Sequence, residues 1–238
     1  MKNTINYTYK NNLTMTIETV DKKVYQNNTN VLFDNTNNYF VYYGRVRPQY
    51  RVDVIKNEIL MNLPKVITNV NDLRIYIRSG DIFRIPVIIS YYQPPLCFYK
   101  NIIDNFKFEN IYIISENKNN PVIDQILSQF PNIIYKINSL KYDMSILINA
   151  YNIVGGFSTF LKTLILLNDN LLKFWYFNYQ TNLLFSYFFD YEFSHKNLSI
   201  FKMKEFDFYI RMNQCNNLKD QMKLMINYTC KYPFNIIK

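Results

Sequence analysis

The chain has 238 residues, 49% of them hydrophobic, enough for one large or two small domains with a real core, which excludes a wholly disordered or fibrous protein. A formal net charge of +9 suits a phosphate-bearing partner, yet the basic residues are scattered with no run longer than two, which argues against nucleic-acid binding and against a polybasic membrane anchor. No 18-residue apolar span and no apolar signal core occur, so the expectation is a chain without a membrane segment, cytoplasmic as given.

Composition says little more. Heavy use of Asn, Ile, Tyr, Lys and Phe is what an AT-rich genome produces without functional cause. The three cysteines, Cys97, Cys215 and Cys230, lack CxxC spacing. Cys215 and Cys230 would pair only in an oxidising compartment, and the expectation is reduced, unpaired thiols. With His195 as the single histidine and no Cys/His cluster, no metal site is expected.

Residues 1 to about 37 alternate weakly and suggest one or two short strands. Tyr39 to Tyr43 reads as a strand closed by Gly44, and Val54, Ile55, Ile59, Leu60 and Leu63 mark one face of a helix ended by Pro64. Leu73 to Ile77 is an alternating, β-branched strand that runs into Arg78, Ser79, Gly80 and Asp81. After a loop to Pro95, a helix starts at Leu96. Strands at 110–115, 133–137 and 152–154 then alternate with helices at 121–130, 140–150 and 157–167. A last strand follows over 171–177, an irregular aromatic stretch over 179–208 and a terminal helix over 216–228.

Strand and helix alternating about every 20 residues is the pattern of βαβ units. The fold class is therefore α/β with a Rossmann-like parallel sheet. The expected division is a reduced N-terminal region over 1–70, the Rossmann-like body over 71–178, and a C-terminal extension and helix over 179–238.

Three strand ends carry polar groups. Arg78 presents a permanently charged planar fork suited to phosphate, and Asp81 would orient it or hold the loop. Ser115 and Glu116 end the next strand, where either could accept from a base or ribose. Gly155-Gly156-Phe157-Ser158-Thr159 lies where a buried strand passes into a buried helix, a phosphate cradle in type, although an ordinary N-cap accounts for Ser158 or Thr159 equally well. In an open α/β sheet all three would share the carboxyl edge.

Tyr76-Ile77-Arg78-Ser79-Gly80-Asp81, Ile114-Ser115-Glu116 and Phe157-Ser158-Thr159-Phe160, in this order, resemble the three motifs of the GDP-fucose-dependent fucosyltransferase superfamily, on its α-1,2 and α-1,6 side. The resemblance covers about Leu73 to Asn168. It implies a GT-B donor-binding half with a reduced N-terminal part, and an inverting, metal-independent glycosyltransferase using GDP-fucose or a related nucleotide sugar. The implied partners are that donor and a glycan or glycoprotein acceptor. Under it, Arg78 neutralises the β-phosphate, Ser158 and Thr159 donate to it with Gly156 in the turn, Asp81 shapes the loop, and Glu116 lies near guanine. Tyr76 stands where the family has histidine, and Ser79 where it has a second arginine; Arg74 and Arg84 are the nearest substitutes. Relatives are often luminal in the ER or Golgi, which this chain would match if an anchor lay outside it. A general base is not assigned; Glu18, Asp53 and Glu58 are the upstream carboxylates. The alternative is a catalytically inactive sugar-nucleotide or glycan-binding module derived from such an enzyme.

Overall fold

The computed structural model describes residues 3–8, 14–19, 31–33, 39–41, 60–83, 93–156, 158–178, 198–231 and 234–237. The chain divides into two compact units, residues 1–58 and 59–238. In the first, β1 (Asn3–Thr8) pairs antiparallel with β2 (Thr14–Thr19), and β3 (Val31–Phe33) with β4 (Tyr39–Val41). The helix expected over 53–63 lies mostly outside the described residues.

The second unit contains β5 (Leu73–Tyr76), α1 (Leu96–Asn105), β6 (Ile111–Ile114), α2 (Pro121–Gln129), β7 (Ile134–Tyr135), α3 (Leu140–Asn149), β8 (Asn152–Gly155), α4 (Thr159–Leu167) and β9 (Lys173–Asn178). These are the elements read from apolar periodicity, each within a few residues of its expected ends. β10 (Ser199–Lys204), α5 (Phe206–Gln214), α6 (Leu218–Asn227) and β11 (Asn235–Ile237) complete it.

The sheet runs β11-β10-β9-β8-β5-β6-β7. Six strands are parallel, and β11 alone is antiparallel, on the β10 edge. This is the Rossmann-like α/β arrangement. Side-chain alternation along β5 decides how it is covered. Leu73, Ile75 and Ile77 are fully buried in one cluster with Phe98 and Ile102 of α1, Val122 and Ile126 of α2, Phe208 of α5 and Met225 of α6. Arg74 and Tyr76 face the other way, where Tyr76 meets Phe160 of α4 at 5.7 Å between ring centroids. Gly155, paired with Tyr76, lies under α4 so closely that a Cβ would sit 2.2 Å from Leu161.

Local chemistry starts the helices. Asn120, Ser139, Ser158 and Asn217 cap α2, α3, α4 and α6, each accepting from a first-turn N–H. Aromatic packing fills the sheet centre: Trp175 stacks on Phe201 at 4.9 Å and meets Phe106 edge-on at 5.0 Å. Such contacts add roughly 0.5–1.5 kcal/mol each to area burial, so Trp175→Ala should cost about 3–5 kcal/mol.

Two expectations are corrected. The stretch 199–208 is regular: β10 pairs with β9 over six residues, from Ser199↔Lys173 to Lys204↔Asn178. Its strand character is masked in sequence by Lys202, which is buried with its ammonium 5.3 Å from the Tyr176 ring. The cysteines also differ. Cys97 and Cys230 form a disulfide across 133 residues, with Cα atoms 5.6 Å apart, while Cys215 is the free thiol. Sequence spacing carries no signal for a pair brought together only by tertiary packing.

Candidate functional site

The strand order decides where a ligand belongs. From β5 the chain moves outward through β6 and β7, then returns to β5's other side and continues through β8, β9 and β10. The topological switch point therefore lies between β5 and β8, and the crevice at their carboxyl ends is the general binding position of such sheets. Tyr76 pairs with Gly155, so the two strands end level. Arg78 follows one and Ser158 the other.

These residues meet in one cleft of about 280 Å³, lined by Tyr76 to Ser79 after β5, Ile114 to Glu116 after β6, Leu140 and Asp143 of α3, and Ser158 and Phe160 at the start of α4. Of the residues singled out from sequence, Tyr76, Arg78, Ser115, Glu116 and Ser158 line it. Arg78 is half-buried and Glu116 exposed. Gly156 is not part of the lining: a Cβ there would fall 2.4 Å from Pro94, so the glycine admits the Gln93–Pro95 loop and not a ligand. Asp81 lies in the 3-10 turn Gly80–Phe83 and Thr159 opens α4, but the side chains of both are outside the described residues.

A buried polar network holds the β5 and β6 ends together. Ser79, fully buried, donates from Oγ to Asn117 Oδ1 at 2.6 Å and accepts from the Asn120 backbone N–H at 2.8 Å. Asn120 Nδ2 donates to the Arg78 carbonyl at 2.9 Å, and Ser115 Oγ donates to the Asn117 carbonyl at 2.9 Å. Ser79 thus does the work of a cross-link, and its place in the motif is structural. Gly80 sits at φ 61°, where a side chain is strained, and a Cβ would come within 2.4 Å of Glu116 Oε1. The glycine lets the Glu116 carboxylate lie against the Arg78 loop.

Across the cleft, Ser158 is both cap and wall. Its Oγ accepts from the Leu161 N–H at 3.2 Å, and it is 2% exposed. The hydroxyl keeps its own hydrogen for a ligand oxygen, beside the positive end of α4.

Asp143 is the cleft residue that sequence reading missed. It occupies the first turn of α3, where an acid ordinarily complements the helix dipole in solvent, yet it is 8% exposed. Burial pushes its carboxyl above the usual range, against a hydrogen bond from Asn138 Nδ2 at 3.0 Å that pulls it down. The signal was the flanking Met144, Leu147 and Ile148, which turn that face of α3 inward.

Arg74 does not replace the missing arginine. Its guanidinium pairs with Asp72 at 3.0 Å and lies 3.8 Å from the Tyr112 ring centroid, toward the opposite end of β5. Arg84, and the carboxylates Glu18, Asp53 and Glu58, fall outside the residues whose side chains are described. Among the described cleft residues Arg78 is the cation, facing two carboxylates, Glu116 and Asp143. No group of three or more His, Cys, Asp or Glu among the described residues is placed to hold a metal ion, and no described helix is long and apolar enough to cross a membrane.

Fold and cleft together define a doubly wound α/β body with a polar crevice at its switch point. No protein-family model, curated protein or solved structure matches the chain.

Proposed function

We propose that the chain is a glycosyltransferase whose cleft binds a nucleoside-diphosphate sugar, GDP-fucose by the resemblance of its motifs, and transfers the sugar to a glycan or glycoprotein acceptor. The observation that carries this reading is the meeting of Arg78 and Ser158, 80 positions apart in sequence, in one cleft at the β5/β8 switch point. Arg78 would take the charge that develops on the β-phosphate as the bond from sugar C1 breaks, worth several kcal/mol in a water-poor crevice. The Ser158 hydroxyl and, by its sequence position, Thr159 would donate to the same phosphate at the α4 N-terminus. The acceptor hydroxyl attacks C1, its proton leaves to a base, and GDP departs; inversion without an essential metal follows from the family resemblance.

The two carboxylates suit the nucleoside. Asp143 offers two acceptor oxygens to the adjacent N1–H and N2–H donors of guanine, a pair that adenine lacks. Glu116 is placed for the ribose, and Tyr76 with Phe160 forms an aromatic wall.

One observation favours the second reading, an inactive donor-binding module. Ser79 stands where the resemblance has a second arginine, and both its hydrogen bonds are committed to Asn117 and Asn120. Donor turnover separates the two. An enzyme releases GDP from GDP-fucose slowly even without acceptor and loses this in Arg78→Ala; a module is stabilised by GDP-fucose and returns it intact. Absence of thermal stabilisation by GDP, UDP and ADP alike removes both readings.

A further inference from the structure

The segment after α6 is fastened to the body at a few points. Tyr228 donates its hydroxyl hydrogen to Glu205 Oε2 at 2.9 Å, and the Lys231 backbone N–H donates to Glu205 Oε1 at 2.6 Å, on a carboxylate wholly buried between them. Lys231 Nζ reaches Asp207 at 3.2 Å. Phe234 rests on Phe98 at 5.8 Å and Phe106 at 6.4 Å. β11 then pairs with β10 over three residues, Ile200↔Ile237 to Lys202↔Asn235. Cys230 lies in the middle of this segment and joins it covalently to Cys97.

We propose that the segment from Tyr228 to Ile237 is a redox-sensitive latch: the Cys97–Cys230 disulfide keeps the antiparallel strand β11 on the sheet, and a dithiol reductant releases it while the six-stranded parallel sheet stands. A three-residue edge strand pairs on one side only and gains too little to offset the ordering of the chain that leads to it. The covalent link supplies the missing constraint.

The positions of the two sulfurs set the direction of exchange. Both cysteines are part-buried, within reach of the surface. Cys97 is the second residue of α1, whose N-cap is Pro95, with no side-chain cap and no acid in the first turn. The positive helix end is therefore left to stabilise a Cys97 thiolate, which makes Cys97 the leaving sulfur. A thiolate of the reductant attacks Cys230 Sγ, the bond to Cys97 breaks, and Cys97 departs as thiolate. The reductant's second thiol resolves the mixed disulfide, so two protein thiols form and the dithiol becomes a disulfide. None of the cleft residues belongs to α1 or to the latch, so nucleotide binding should survive release.

The test uses the full chain, oxidised or treated with dithiothreitol under native conditions, followed by a short trypsin pulse and mass spectrometry. The expected result is two additional titratable thiols and cleavage after Lys231 faster by about ten-fold or more, as for local opening. Hydrogen exchange should accelerate in β10 and β11 and stay slow in β5 and β8. A Cys97→Ser/Cys230→Ser variant should behave as the reduced chain with or without reductant. Equal cleavage rates in the two redox states, no liberated thiols, or simultaneous loss of protection in β5 and β8 would overturn the proposal.

Discussion

The side-chain amide of Asn120 donates to the Arg78 carbonyl at 2.9 Å, spanning 42 residues of sequence, while its Oδ1 accepts from the Val122 N–H at 3.1 Å. One buried residue thereby caps α2 and fixes the backbone from which the cleft's guanidinium projects. Asn120→Ala removes the cap and strands the carbonyl, and should cost about 2–3 kcal/mol in urea denaturation. If Arg78 holds the diphosphate, GDP affinity should fall together with stability, and Asn120→Asp, which keeps the cap but not the donor, should restore part of the stability and little of the affinity.

Gly80 and Glu116 are coupled by contact. Gly80→Ala forces a side chain into the left-handed region, at about 1–2 kcal/mol, and drives its Cβ to 2.4 Å from Glu116 Oε1. The double variant Gly80→Ala/Glu116→Ala should recover the steric part and leave the backbone part. A double-mutant cycle in urea should therefore give a favourable coupling energy; strict additivity would mean that the two residues do not touch in solution.

Much of this was legible in the chain and some was not, for identifiable reasons. β5 through β9 were readable because Leu73, Ile75 and Ile77, or Val122, Ile123 and Ile126, repeat at the period of their element. The convergence of Arg78 with Ser158 followed from the rule for carboxyl edges once strand and helix alternated. β10 was hidden because Lys202 and Lys204 break the apolar pattern, and burial of Lys202 over Tyr176 is a tertiary fact. Gly156 looked like a phosphate-turn glycine because sequence shows the missing side chain but not Pro94 filling its place. Asp143 passed as a solvated helix-start acid, since nothing local says that α3 turns that face to the cleft.

Asp143 also makes a pH prediction. Its folded carboxyl titrates above the usual range because burial penalises the charged form. The folded state then binds the proton more tightly than the unfolded chain, so its stabilising contribution is fully present below the ordinary aspartate range and is lost as pH rises through the raised value. In urea titrations from pH 3 to 7, the wild type should lose stability relative to Asp143→Asn across that window, and the variant should be at least as stable at neutral pH. Identical pH profiles would show the carboxylate to be well solvated. GDP binding should move oppositely, tightening in the wild type as Asp143 ionises and weakening in Asp143→Asn, if the carboxylate accepts from guanine.

Ser158 allows cap and ligand to be told apart. Its Oγ caps α4 by accepting from the Leu161 N–H at 3.2 Å, so Ser158→Ala should cost about 0.5–2 kcal/mol whatever the cleft binds. Ser158→Asp retains a capping acceptor and adds a charge that the helix N-terminus favours, so denaturation should show a smaller stability loss than in the alanine variant. The same charge would repel a diphosphate held between α4 and Arg78. Nucleotide binding, measured by calorimetry with GDP, should then be lost in Ser158→Asp and only weakened in Ser158→Ala. An aspartate variant that binds GDP as tightly as the wild type would remove the phosphate from this helix end and leave Ser158 as a cap alone.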